Sequence, residues 1–466
     1  MKARTVLIIC EFFPPCRDMT SSSKRLEGFT RYLSSFGWNP IILNHQCSCV
    51  NGVALAEQQP WADSFFLHEN DSIQNLHEAL SMRNESRPLI IRISSKEKKI
   101  INLRLRLAAL TNPRFEVDNH FGRACAVDSK CISFLPLRAL LSVFRKLLSW
   151  ISTFYWDQTD WPERATRIAK AVCGELKEID LIFSTSPNVV NHVIACRVSK
   201  AMRLLWIADI RDSIIRSCAD ASHFTGSIKY GFLKKASALV HVTPEEAERD
   251  KHFFTKQSYV IENGFIDDEL KRAKGSANHS NGVFVMRYLG VVDAFSQLDT
   301  FLKGFALFLK LTRVTQSNLK FQYYGQTWKK VQNLVDRLEL QQFCEVHPTV
   351  SRDRAMELMI TATVLVQPID SRYPGCPGAK FYEYVGSERP ILATGGQEVY
   401  VESILKKTGC GIPAHSVEEV CKALQLWYSN YLRDGDVLLN YNKNEIMRFS
   451  RQNLTKKLAD VFEALI

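Results

Sequence analysis

Thr363 to Ala393 reads TVLVQPIDSRYPGCPGAKFYEYVGSERPILA, and its pattern decides the fold. Thr363 to Val366 is a short β-branched, apolar run that Pro368 closes, because proline has no N–H to give to a ladder. Pro374, Gly375, Pro377 and Gly378 bend the backbone and keep it clear of bulky side chains. Ala379 to Tyr384 opens a helix, Pro390 bounds it, and Ile391 to Ala393 returns to the sheet. A strand that runs through a Gly-rich loop into a helix N-terminus is the α/β device for holding anions. Backbone N–H groups and the positive helix end converge there. Lys380 and Glu383 stand at the start of that helix, an ammonium and a carboxylate beside an anion site.

At 466 residues the chain exceeds the size at which one core stops growing, so two domains are expected. The 46% apolar and 23% charged shares are those of a globular protein. Thirteen cysteines, none in a C-x-x-C pair, and the lack of a signal-peptide pattern predict a reduced, cytoplasmic protein. Cys47-Ser48-Cys49 is too close and too isolated for zinc, and no metal is expected. No run reaches the roughly 18 apolar residues that span a bilayer. The net charge of +11 is unevenly placed: between Arg83 and Lys146, 14 Lys/Arg stand against 5 Asp/Glu. With no aromatic-interleaved platform, helix-turn-helix or zinc-finger pattern, nucleic acid is not an expected partner; a surface of anionic headgroups or phosphates fits better. Inside this region Phe134 to Phe154 puts Leu137, Leu140, Leu141, Phe144, Leu147, Leu148 and Ile151 on one helical face. Two readings stay open for it: a core helix with a solvated edge, or an interfacial helix in peripheral contact with a membrane or a lipid-linked acceptor.

Thr5 to Cys10 is an apolar strand. Thr20 to Ser23 offers caps for a helix carrying Leu26, Phe29, Leu33 and Phe36 to a stop at Gly37. Pro40 to Leu43 follows as a strand, so the chain opens as a parallel, doubly wound sheet. G-x-G-x-x-G is absent, which leaves NAD and FAD unsupported. From Asn44 to about Lys130 the period blurs, and strands and loops plus an insertion are expected. Asp180 to Thr185 and Leu204 to Ala208 are strands. The first leads into Ser186-Pro187-Asn188 and a helix bearing His192, the second into Asp209-Ile210-Arg211-Asp212. Ligands of open α/β sheets bind at the carboxyl ends of strands, so both are site candidates by position. Arg272 to Gly282 is rich in Gly, Ser and Asn and reads as a loop. Beyond it strands at 283–289, 319–324 and 344–346 alternate with helices near 298–311, 327–340 and 352–361. The expected class is α/β, with two Rossmann-like doubly wound domains facing a central cleft. Domain one spans 1–215, with an insertion at about 83–155; domain two spans 216–440; a last helix, 441–466, packs back toward the first.

The ordered motifs resemble the GT-B-fold glycosyltransferases, in particular the family-4-like retaining group. The resemblance runs from Thr5 to the last helix and is weakest from Asn44 to Lys130. It rests on Phe13-Pro14-Pro15, Ser23 and Arg25, Gly37-Trp38-Asn39-Pro40, Asp180 to Pro187 with His192, and Ala208 to Asp212. In the second half Val242-Thr243-Pro244, Asn263-Gly264-Phe265, Tyr288-Leu289-Gly290 and the opening stretch follow in order. The resemblance implies transfer of a sugar from a nucleoside-diphosphate sugar, bound by the second domain, to a glycan or lipid-linked acceptor, in cell-surface polysaccharide or glycolipid assembly. Glu383 matches the second glutamate of the family's E-x7-E motif and would accept hydrogen bonds from ribose hydroxyls. Lys380 and the N–H groups near Gly378 and Ala379 would face the diphosphate and stabilise the leaving charge. Gly290 and Asn263 join that donor side, while Asp209, Arg211 and His192 would be the catalytic groups on the acceptor side. No cofactor or metal is implied, because cations and a helix end take the metal's place.

Three positions depart from the pattern. Gly375 stands where the first glutamate of E-x7-E would fall, Val291-Val292-Asp293 follow Gly290 in place of Arg and Lys, and Cys16-Arg17-Asp18 occupy a loop that carries glycine. They keep open a non-catalytic nucleotide-sugar-binding or scaffold protein on the same fold, and a sugar-nucleotide epimerase. Purely structural roles are open too: Glu383 pairing with Lys380 three positions away, and His192 as a satisfied helix histidine.

Overall fold

The computed structural model describes residues 3–14, 20–45, 61–68, 71, 73–81, 83–84, 87–94, 160–211, 230–276, 282–292, 297–312, 314–315, 318–369, 377–396 and 398–466. The helix expected over 134–154, most of the basic region, Cys16-Arg17-Asp18, Cys47 and Cys49, Asp212, Asp293 and Gly375 lie outside the described residues. The chain divides into two compact units. One comprises Met1–His241, Ala247–Tyr259 and Ala459–Ile466, the other Val242–Glu246 and Val260–Leu458.

The first unit is built on an eight-stranded sheet of β1 (Arg4–Cys10), β2 (Trp38–His45), β3 (Asp63–Leu67), β4 (Leu89–Ile93), β5 (Ile179–Thr185), β6 (Leu205–Ile210), β7 (Ala238–His241) and β8 (Ser258–Val260), in the order β3-β4-β2-β1-β5-β6-β7-β8. The pairings from β3 through β7 are parallel. Both faces of the sheet are covered, which is why β1 reads as an unbroken apolar run rather than an alternation. Leu7, Ile9, Ile41 and Leu43 pack into one core with Ala165, Ile168 and Val172 of the helix Trp161–Glu175 and with Val190, Ile194 and Val198 of the helix Val189–Met202. Their neighbours Val6, Ile8 and Ile42 are buried as well. Phe183 meets Phe29 of the helix Thr20–Tyr32 at 6.3 Å and Phe462 at 5.7 Å between ring centroids. The helix beginning at Thr20 tightens into a 3-10 turn over Leu33–Phe36 and stops at Gly37, whose φ of 81° is left-handed.

In the second unit β9 (Phe284–Leu289), β10 (Leu319–Tyr324), β11 (Cys344–His347), β12 (Val364–Pro368), β13 (Ile391–Thr394) and β14 (Gly411–Ala414) form a parallel sheet in the order β11-β10-β9-β12-β13-β14. Successive residues enter two different cores: Phe284, Met286, Val364, Val366 and Leu392 one, Leu289, Leu365, Ile391 and Ala393 the other. This is a doubly wound sheet.

In each sheet the chain fills one side of its first strand and then crosses to the other side. The crossing falls between β1 and β5 in the first sheet and between β9 and β12 in the second. Crevices outside such switch points are where α/β sheets bind ligands.

The blurred region holds strands as expected, β3 and β4, and also the helix Ile73–Ser81, which was not expected. One expectation is corrected. Arg272 to Ser276 is not loop but the last turn of the helix Asp267–Ser276. Asp267, Asp268 and Glu269 in its first turn favour the positive helix end, and buried Leu270 and Ala273 anchor it.

Candidate functional site

At the switch point of the second sheet, β12 leads into the helix Ala379–Ser387. Gly378 precedes it with φ 77° and ψ 161°, a conformation open only to glycine, and a Cβ there would meet no neighbour within 4 Å. Among the described residues no side chain caps this helix. The helix is held from behind. The Leu289 N–H donates to the Tyr384 hydroxyl at 2.8 Å, tying the helix to the last residue of β9. A Cβ on Gly386 would sit 2.4 Å from the Phe265 ring, so helix and ring are in direct contact. Phe381, Tyr382 and Val385 fill the core beneath.

That packing buries Glu383, whose side chain is 9% exposed. Its Oε1 accepts from Nη1 of Arg352 at 2.6 Å, and Lys380 Nζ lies 3.0 Å from Oε2. The Lys380 contact is an ion pair without hydrogen-bond alignment; among the described residues Oε2 is buried and accepts no hydrogen bond. Arg352 begins the helix Arg352–Ile360 and donates through Nη2 and Nε to Glu269 Oε2 at 2.8 and 3.3 Å. Burial pushes the Glu383 carboxyl up, but Arg352 and Lys380 outweigh it and hold the pKa at about 2. The expected i,i+3 pairing of Lys380 with Glu383 is thus present, with Arg352 on Oε1 and Lys380 beside Oε2.

Gly290 follows β9 at the same switch point. Its N–H donates to Tyr324 O at 3.0 Å, its carbonyl accepts from the Tyr323 hydroxyl at 2.7 Å, and a Cβ on Gly325 would lie 1.9 Å from that carbonyl. The ends of β9 and β10 therefore meet backbone to backbone. Where the family carries cations, Val291 is exposed and Val292 buried, its N–H bonded to Thr327 Oγ1 at 2.8 Å. Asn263 lies on another loop, buried, with no hydrogen bond to its Oδ1 among the described residues. The next residue, Gly264, abuts Phe449, since a Cβ there would fall 2.1 Å from Phe449 O.

In the first unit the end of β5 gathers the other three candidates through consecutive hydroxyl residues. Ser184 Oγ and His192 Nδ1 are 2.8 Å apart, and Ser184 also receives the Trp206 indole N–H at 2.7 Å. Thr185 Oγ1 donates to Asp209 Oδ2 at 2.7 Å. Ser186 Oγ accepts the Arg211 backbone N–H at 2.8 Å. Asp209 is fully buried and held by Arg25, with Nη2 to Oδ1 at 2.8 Å and Nε to Oδ2 at 3.1 Å. His192 is also fully buried; burial lowers its pKa to about 4, against the pull of Asp209, so it is neutral near pH 7. Neither presents a surface to solvent, and Arg211 is only 9% exposed. The three expected catalytic groups are neighbours, but two of them are interior.

Sequence reasoning missed Arg352 and Glu269. Ser351 caps the Arg352 helix by accepting from Arg354 N–H, a visible signal, but nothing in the spacing ties position 352 to 383. No cluster of three or more metal-ligating side chains occurs among the described residues.

Two doubly wound parallel sheets, each with its candidate groups at a switch point, define the GT-B fold. Solved structures agree. The chain is similar to the Anabaena protein HepE in complex with UDP-glucose, at 11% identity over 99% of this chain and 100% of that one, with a TM-score of 0.55. It is similar to a glycosyltransferase from Rickettsia africae, at 11% identity over 100% and 99% of the two chains, TM-score 0.55. Sucrose-phosphate synthase from Thermosynechococcus elongatus matches at 12% identity over 99% of each chain, TM-score 0.55. No family model matches the chain, and no curated protein matches it in sequence.

Proposed function

We propose that the protein is a glycosyltransferase that moves a sugar from a nucleoside-diphosphate sugar to a glycan or lipid-linked acceptor, with retention of configuration, in cell-surface polysaccharide or glycolipid assembly. The observation that carries the reading is the Glu383 carboxylate, buried and ionised between Arg352 and Lys380, on the first turns of a helix at a switch point that no side chain caps among the described residues. In this reading Oε2 accepts from ribose hydroxyls. Lys380, 35% exposed, faces the diphosphate with the N–H groups at Gly378 and Ala379 and offsets the charge that grows as the glycosidic bond breaks. Gly290 lets the backbone approach the donor, and Asn263 supplies a further polar group. HepE was solved with UDP-glucose, which supports a uridine diphosphate sugar as the first donor to test.

The first unit takes the acceptor in this proposal. Asp209 and His192 position the strand ends, while Arg211 is the group with reach. No helix among the described residues is long and apolar enough to cross a membrane, and peripheral contact at the cytoplasmic face is part of the proposal.

Glu383→Gln tests the reading. It keeps the shape and removes the charge; two charge-assisted hydrogen bonds at stake predict about 10- to 100-fold weaker donor binding in a chain that still folds. Wild-type affinity for nucleoside-diphosphate sugars in the variant sinks the assignment. A second reading, a binding protein without transfer, is favoured by Val291 and Val292 standing where cations would face the phosphates. Titration with nucleotide sugars that shows binding, but no hydrolysis or transfer to any acceptor, selects it.

A further inference from the structure

We infer that Arg352 is a positioning residue of the nucleotide site: it fixes Oε1 of Glu383 and leaves Oε2 to Lys380 and to the ligand's hydroxyls. The inference rests on the nucleotide reading of Glu383 and adds to it a residue that no motif contains.

The geometry divides the guanidinium between two carboxylates. Nη1 is given to Glu383 at 2.6 Å, while Nη2 and Nε go to Glu269 at 2.8 and 3.3 Å. A guanidinium in a bidentate fork with Glu383 would occupy both of its oxygens. Glu269 takes that second half of the fork and prevents it. The result is a carboxylate with Oε1 held by Arg352 and Oε2 beside the Lys380 ammonium at 3.0 Å, with no aligned hydrogen bond to Oε2 among the described residues. Packing locks the arrangement, because the helices bearing Glu269, Arg352 and Glu383 contact one another. A lysine at 352 could reach Oε1 but could not bridge both carboxylates with a planar fork.

The same contact sets the charge of the site. Facing Glu383 are Arg352 from the helix Arg352–Ile360 and Lys380 and Tyr384 from its own helix, with Glu269 acting through Arg352 from the helix Asp267–Ser276. The helix Lys443–Met447 also packs there, and its Glu445 is paired with Arg448. Without Arg352, burial is opposed by Lys380 alone, and the Glu383 carboxyl rises from about 2 toward or above its ordinary 4.5.

The test is isothermal titration with uridine, guanosine and adenosine diphosphate, each alone, from pH 7.5 down to about pH 5, where a carboxyl freed of its main partner takes up its proton. Arg352→Met is expected to weaken binding about tenfold at neutral pH, the scale of one charge-assisted contact, and to lose more as the pH falls. Wild type shows only the pH dependence of the ligand's own terminal phosphate, which titrates at about pH 6, and Arg352→Lys recovers the wild-type profile with part of the affinity. In a Glu383→Gln background, Arg352→Met changes affinity by less than about twofold, because its effect runs through that carboxylate. If Arg352→Met does not fold, Arg352→Gln carries the same comparison, keeping a donor and dropping the charge. An Arg352 variant with wild-type affinity and the wild-type profile, while Glu383→Gln is impaired, overturns this inference and leaves the nucleotide reading standing. Undiminished loss in the Glu383→Gln background overturns it too, exposing a merely structural role. A wild-type chain that binds none of the three diphosphates removes the nucleotide reading and this inference together.

Discussion

Asp209→Ala removes a carboxylate from a site with no access to solvent, and the cost follows from what is left behind. Asp209 and Arg25 are each fully buried. The carboxylate accepts from two guanidinium nitrogens, at 2.8 and 3.1 Å, and from Thr185 Oγ1 at 2.7 Å. Deleting it takes from Arg25 the carboxylate that accepts from two of its guanidinium nitrogens, beside the Phe29 ring 4.9 Å away. Breaking one side of a buried pair costs about 3–5 kcal/mol, and replacing both partners with apolar groups of similar size costs far less. The expected order is therefore Asp209→Ala and Arg25→Met each destabilising the first unit by about 3–5 kcal/mol, with Arg25→Met/Asp209→Leu closer to wild type than either. Urea titration followed by tryptophan fluorescence reads it, since Trp38, Trp161 and Trp206 are buried in this unit. Burial pushes the Asp209 carboxyl up, yet Arg25 and Thr185 outweigh it and hold the pKa below its ordinary 3.8. The unfolded chain thus takes up the proton first, and the pair's contribution is complete above about pH 4 and lost as the pH falls through the lower folded value. Single variants that lose less than about 1 kcal/mol, or costs that simply add in the double variant, would refute the reasoning and return Asp209 to the list of groups free to meet an acceptor.

Two further outcomes follow from the interior of each unit. His192 is neutral and buried with a pKa of about 4 against an ordinary 6.5, so the unfolded chain protonates first and up to about 3 kcal/mol of stability is lost between pH 6.5 and 4. His192→Gln should flatten that part of the stability curve, with His45, held at about 4 by burial, contributing the slope that remains. Gly264→Ala places a methyl 2.1 Å from the Phe449 backbone O and 2.5 Å from the Leu454 side-chain Cδ1. A loss of about 1–3 kcal/mol from the second unit is expected in thermal unfolding, and an unchanged midpoint would show that the loop relaxes.

Much of the sheet framework was legible because strands covered on both faces leave an unmistakable apolar run. TVLIIC, DLIFST and LKFQYY fall within β1, β5 and β10, and Leu298–Leu311 matches its helix residue for residue. β4 could not be placed within the blurred region because five apolar and basic residues inside a polar region carry no period of their own. The helix end at Ser276 was missed because Gly, Ser and Lys composition speaks for a loop, whereas Leu270 and Ala273 hold the turn by tertiary packing. The site was legible only where it is local. Gly378, Lys380 and Glu383 lie within six positions and announce an anion-binding helix start. Arg352 reaches Glu383 across 31 positions and Arg25 reaches Asp209 across 184, and no pattern in a single sequence encodes such distances.

The two buried carboxylates show why identical chemistry supports different roles. Asp209 and Glu383 each meet an arginine, and each is held below the ordinary carboxylate range. At Asp209 both oxygens are filled, Oδ1 by Arg25 and Oδ2 by Arg25 and Thr185. At Glu383 the arginine is divided with Glu269, and Oε2 has a cation at 3.0 Å but no hydrogen bond. In the proposed reading Glu383 is the carboxylate suited to recognition, because a ligand's hydroxyls would add the aligned donors that Oε2 lacks among the described residues, while Asp209 holds strand ends in place. Depressed pKa is not what separates the two sites, since both have it. The separating feature is how the arginine is shared: Arg25 gives two nitrogens to Asp209, whereas Arg352 divides its nitrogens between Glu383 and Glu269.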